Sequence, residues 1–159
     1  MEFEFDVKMT TSTLYDYALN HAYKGASGIL GTAVGVLLLA NFVRYHQFLY
    51  LLFGLVTVFY IPVALYISAK RQVLSVPAFK EPLHYRITEE GMEVSQGEEK
   101  AEQKWDAVLS AVSTRKSIIL YTGKAVATIF PREDMGKQTE NVIKMISTHV
   151  DPKRVKIRY

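Results

Sequence analysis

The stretch at residues 37–54, LLLANFVRYHQFLYLLFG, sets one arginine and one histidine inside an otherwise apolar and aromatic run. Either RYHQ is a turn within a soluble helical core, or it is the tip of a hairpin that crosses a membrane. The flanking residues weigh on the choice. Residues 25–43, GASGILGTAVGVLLLANFV, give nineteen positions without a charge, which as a helix rise roughly 28 Å at 1.5 Å per residue. Residues 48–68, FLYLLFGLVTVFYIPVALYIS, give twenty-one more, enough to cross a hydrocarbon core of about 30 Å with some tilt. Core helices in a protein of this size keep one polar face, and neither run has one. The expectation is a two-helix transmembrane hairpin over residues 25–68.

Its ends agree with that reading. Tyr45, Phe48 and Tyr50 surround the tip, and Tyr60 and Tyr66 lie towards the other end, as aromatic side chains do at headgroup depth. Lys24 precedes the first run and Lys70 and Arg71 follow the second, against Arg44 alone in the short loop. That balance places both termini in the cytoplasm. Gly28, Gly31 and Gly35 in the first run and Gly54 in the second are candidate helix-packing positions, with Gly31 and Gly35 at small-xxx-small spacing. Packing within the hairpin is the plain reading; homo-oligomerisation is the alternative. Pro62 removes one backbone hydrogen bond and should bend the second helix. Neither run contains Asp, Glu or Lys, so an ion or proton pathway through this chain alone is not expected.

The rest of the chain is polar and charged. Its 159 residues can hold a membrane segment and one small domain, and the only charge between residues 25 and 68 is Arg44. A formal charge of +3 without a dense basic stripe argues against nucleic acid. The absence of cysteine excludes disulfides, thiolate catalysis and cysteine-based zinc sites. MEFEFDVKM lacks a basic segment followed by an apolar run, so a cleavable secretion signal is not expected there.

Residues 1–24 read as a strand and an amphipathic helix. Phe3, Phe5, Val7 and Met9 alternate with Glu4, Asp6 and Lys8, the pattern of a half-buried strand. Thr11, Ser12 or Thr13 can cap a helix whose Leu14, Tyr15, Ala18 and Ala22 share a face. That helix runs along the membrane surface or continues into the first span. Residues 69–82, with Pro77 and Pro82, read as a linker. From residue 83, HYRIT, GMEVS, EQKW, VLSAVST, SIILYT and AVATIF read as short strands separated by glycine turns. Six such strands suggest a curved antiparallel sheet. In KQTENVIKMISTHV, Val142, Met145, Ile146 and His149 or Val150 fall at helical spacing, giving a closing helix. A hairpin returns the chain to the side it left, so the first strand faces the same compartment as residues 83–159 and is placed to share their sheet.

The order of strand, Tyr-rich helix, two apolar spans and a small β domain carrying Tyr85, Ile87, Gly91, Trp105, Val108, Tyr121 and Phe-Pro-Arg at 130–132 resembles the YcxB-like family of bacterial membrane proteins. The resemblance implies an α+β membrane protein of the bacterial plasma membrane, with a hairpin and a cytoplasmic antiparallel β domain of pleckstrin-homology-like fold ending in a helix. It brings no catalytic residues.

The residues themselves offer no catalytic, cofactor or metal site. His21, His46, His84 and His149 are dispersed, and none stands at a ligand spacing such as HExxH. Glu89 with Glu90, and Glu98 with Glu99, sit at turns; TGK at 122–124 reads as a hairpin turn rather than a phosphate loop. Trp105 and Phe130 read as core aromatics. The tail KRVKIRY alternates Val155, Ile157 and Tyr159 with Lys156 and Arg158, the pattern of a last strand with a solvated basic face. In a sharper reading Lys70, Arg71, Lys156 and Arg158 contact anionic headgroups, with Lys80 and Arg86 able to join them. The function expected is a non-enzymatic, membrane-anchored adaptor or regulator whose domain binds a protein or lipid partner. The alternative is immunity or resistance to a membrane-active peptide or toxin, by analogy.

Overall fold

A computed structural model describes residues 2–124 and 126–158. Ala125, which opened one expected strand, and Tyr159, which ended the tail alternation, lie outside the described residues. The chain forms β1 (Phe3–Val7), α1 (Thr11–Lys24), α2 (Ala26–Tyr45), α3 (Phe48–Ser75), β2 (Leu83–Ile87), β3 (Gly91–Gln96), β4 (Glu99–Lys104), β5 (Ser110–Ser113), β6 (Ser117–Tyr121), β7 (Ala127–Pro131), α4 (Arg132–Met135), α5 (Thr139–His149) and β8 (Val155–Lys156).

β1 buries Phe5 and Val7 and exposes Glu4 and Asp6, as its alternation requires. It pairs antiparallel with β2, with Phe5 opposite Tyr85. Two chain segments separated by the whole hairpin therefore share a sheet, ordered β1-β2-β3-β4. The expected single curved sheet is instead two. The chain leaves the first at Trp105, through a 3-10 turn of residues Trp105–Ala107, and builds a second ordered β7-β6-β5-β8. The Trp105 indole N–H donates to the Thr88 carbonyl at 3.0 Å, pinning that crossover. β8 lies parallel to β5, with Val155 beside Ala111. The two sheets meet at Phe5, Tyr85 and Phe130, where Phe130 stands edge-on to Phe5 at 5.4 Å and to Tyr85 at 5.0 Å.

β6 is buried along its whole length, with Ile118, Ile119 and Leu120 fully enclosed. A continuous apolar run suits a strand covered on both faces. α5 sends Val142, Ile143, Met145 and Ile146 into the core, while α1 packs against β6 through Tyr17, whose ring lies 6.1 Å from that of Tyr121.

The cap of α1 is Thr10, one residue before the three threonine and serine candidates. Its backbone is extended and its hydroxyl accepts from the Thr13 N–H at 3.2 Å, satisfying an otherwise unpaired amide of the first turn. α1 does not continue into the first apolar helix: Gly25, in an extended conformation, separates them. α3 runs to Ser75, seven residues beyond the uncharged stretch, so half of residues 69–82 is helix. The remainder is held to β3, since the Gln96 amide donates to the carbonyls of Ala78 and Glu81 at 2.9 and 3.1 Å.

Candidate functional site

α2 and α3 are antiparallel neighbours closed by a tip of two residues, His46 and Gln47. Helix persists through Arg44 and Tyr45 because His46 takes a left-handed conformation, φ 54°, and donates its N–H to the Phe42 carbonyl at 2.8 Å. Histidine tolerates that region better than most residues with a Cβ. Both helices, over Gly28–Tyr45 and Phe48–Ser75, are long and apolar enough to cross a membrane. Only 11% and 6% of those windows are buried, which sets them apart from core helices of a soluble domain. Leu30, Leu37, Phe48, Phe53, Phe59 and Tyr60 are among the large side chains left open.

The four glycines divide. A Cβ on Gly35 would lie 2.6 Å from Val58 Cγ2 and 3.2 Å from the Gly54 carbonyl oxygen; one on Gly54 would meet Leu39 at 2.7 Å; one on Gly31 would touch Ile61 at 3.2 Å. These three sit where α2 and α3 meet. Gly28 lies elsewhere, at the corner between α1 and α2, where a Cβ would come within 2.6 Å of the Ala22 carbonyl oxygen. The Tyr23 and Thr32 hydroxyls, 3.2 Å apart, tie the same corner.

The hairpin is fixed to the β domain at its base. Ala69 of α3 is buried in the domain core and Val73 packs against it. Tyr66 meets Tyr15 of α1 edge-on at 5.5 Å.

The expected headgroup residues fall in two places. Lys70 and Arg71 are exposed on the last turns of α3. Lys156 and Arg158 lie at the edge of the second sheet, where Arg158 donates its N–H to Ser113 Oγ at 2.7 Å and accepts from the Arg132 guanidinium at 2.5 Å. Arg115, Arg132 and Arg158 line a cleft of about 460 Å³ there. Arg86 does not join either group; it is held by Glu2, and lies 3.7 Å from Glu4 and 3.9 Å from Glu93.

A second cationic cleft, of about 540 Å³, was not singled out from the sequence. His21, Lys24, Leu109, Tyr121, Gly123 and Lys124 line it, immediately before the first apolar helix. The Lys24 ammonium stands 4.7 Å over the Tyr121 ring. Lys124 was hidden in TGK, which fits a hairpin turn and carries no local sign that it joins Lys24. Burial raises the Tyr121 phenol above its usual range, with Tyr17 adding to the shift. Burial alone pushes Tyr85 up to about 12.

A third opening is lined by Arg86, Glu89, Glu90, Glu93, Glu102 and Lys104, with the Arg86 guanidinium turned to Glu2, Glu4 and Glu93. His84, with no partner at local spacing, finds Asp6 across the β1–β2 pair at 2.7 Å. Among the described residues, no group of three or more His, Asp or Glu is placed to hold a metal.

Residues 87–147 match the family model described as YcxB-like protein. That stretch runs from the end of β2 to α5, so the earlier resemblance holds over most of the two-sheet domain. No curated protein and no solved structure matches the chain.

Proposed function

Taking the YcxB-like match as the premise, we propose that the chain is a non-enzymatic adaptor or regulator held in a bacterial plasma membrane by α2 and α3. Its β domain, of pleckstrin-homology-like layout, binds a protein or lipid partner in the cytoplasm. The observation that carries this reading is the exposure of two long apolar helices whose base is built into the core of a polar domain. In water that surface is costly at about 25 cal/mol per Å²; in hydrocarbon the cost disappears. Two sheets with a closing helix support the layout of the domain. Lys24, Lys70 and Arg71 at the hairpin's base, against Arg44 at its tip, support cytoplasmic termini. Anchoring would raise the domain's effective concentration near membrane-bound partners.

Alkaline carbonate extraction tests the anchor, and the absence of cysteine makes a sidedness test clean. The chain should stay in the membrane pellet. An impermeant maleimide should label His46→Cys in intact cells and Lys153→Cys only after permeabilisation. Release of the chain by carbonate, or a compact monomer in buffer without detergent, overturns the reading.

A further inference from the structure

We infer that the cleft between the end of α1 and the β6–β7 turn is a docking site for the phosphate headgroup of an anionic phospholipid. The inference rests on the membrane reading above and names the ligand class and its place. Three features converge. The cleft lies at Lys24 and Gly25, directly before the first apolar helix, which is headgroup depth for a chain whose next residues enter hydrocarbon. Its cations are unopposed: Lys24 and Lys124 make no ion pair among the described residues, and no Asp or Glu among the described residues lines it. Exposed apolar side chains stand beside the cations: Leu109, 51% exposed, lines the cleft, and Val126, 65% exposed, belongs to the turn that carries Lys124.

The parts are held in place. The Leu109 N–H donates to the Tyr121 carbonyl at 2.8 Å, and the N–H groups of Thr122 and Gly123 donate to the Val126 carbonyl at 3.0 and 3.2 Å, closing the turn that carries Lys124. Lys24 is set over the Tyr121 ring. The buried Tyr121 hydroxyl has no hydrogen-bond partner among the described residues. Exposed apolar side chains beside ammonium groups suit a membrane interface, where acyl chains and phosphates meet. The arginine cleft near Arg158 has the charge but lies at the opposite end of β5, away from Leu109.

The test uses the full chain in nanodiscs of phosphatidylcholine with and without phosphatidylglycerol, reading bound phosphatidylglycerol by native mass spectrometry. Wild type should retain phosphatidylglycerol in preference to phosphatidylcholine. At the usual contribution of one basic residue near an anionic surface, Lys24→Gln with Lys124→Gln should weaken retention about 30-fold. Arg115→Gln with Lys144→Gln, an equal loss of charge at exposed positions outside the cleft, should leave it unchanged. Lys124→Gln alone, on an exposed turn, should show a partial loss if the double variant fails to fold. Equal losses in both double variants, no loss in either, or indifference to the lipid headgroup overturns the inference. So does displacement by free glycerol phosphate at the concentration of the lipid. Failure of the membrane reading appears separately, as release of the chain by carbonate.

Discussion

Phe5 stands edge-on to Phe130 at 5.4 Å, joining a strand that precedes the apolar hairpin to a strand near the end of the β domain. The amino-terminal strand is thus a wall of the core. Phe5→Ala should cost about 3–5 kcal/mol, the range for truncating a buried phenylalanine. Denaturation in detergent micelles, followed by the fluorescence of the single tryptophan, Trp105, reads the loss. A cost within experimental error would mean that β1 is dispensable to the domain.

Within the hairpin, the two glycines of the first helix that face the second, Gly31 and Gly35, should not be equivalent. Gly35→Ala presses a methyl group on the Val58 amide and the Gly54 carbonyl, backbone atoms that cannot step aside. Gly31→Ala meets only the far end of the Ile61 side chain. Gly35→Ala should therefore lower stability by about 1–3 kcal/mol, and Gly31→Ala by less. Thermal melts in one detergent compare them, and the reverse order would contradict this packing.

Tyr85 gives the domain an alkaline limit. Its phenol is pushed from 10.0 to about 12 by burial. Between those values the unfolded chain has lost the proton and the folded chain keeps it, so folding binds more protons and stability falls as pH rises. The contribution is whole below pH 10 and disappears towards pH 12, an amount on the order of 2 kcal/mol. Urea midpoints across that range should drop in wild type and drop less in Tyr85→Phe. Equal slopes would dismiss Tyr85 as the cause.

The Asp6–His84 pair should matter little. Its side chains are 69% and 45% exposed, and an exposed ion pair contributes about 0–1 kcal/mol. Asp6→Asn is expected to shift the urea midpoint slightly and to lose that shift in high salt. A large, salt-insensitive loss would point to a structural role.

The hairpin and the strands were legible because their signals are local: residues 25–43 and 48–68 need no partner to be read as apolar, and β1 carries its own alternation. The contacts that join distant segments were not. Nothing near Trp105 announces that one expected sheet becomes two, because the change depends on which edge β5 finds. Thr10 was passed over as the cap because three hydroxyl residues follow it, and only backbone conformation distinguishes them. The glycine pattern pointed to close packing but could not separate Gly28, which faces α1, from Gly31 and Gly35, which face α3. Lys24 and Lys124 are a hundred residues apart, and only the fold of α1 along β6 brings them to one cleft.

α3 is one continuous helix from Phe48 to Ser75, about 42 Å at the usual rise, with Pro62 inside it and Val73, near its end, packed against the domain core. Such a helix behaves as a mast and not as a tether. The sheets cannot swivel freely on it, so any tilt of the hairpin would turn the whole β domain with it, and one side of that domain would always be presented to whatever lies alongside.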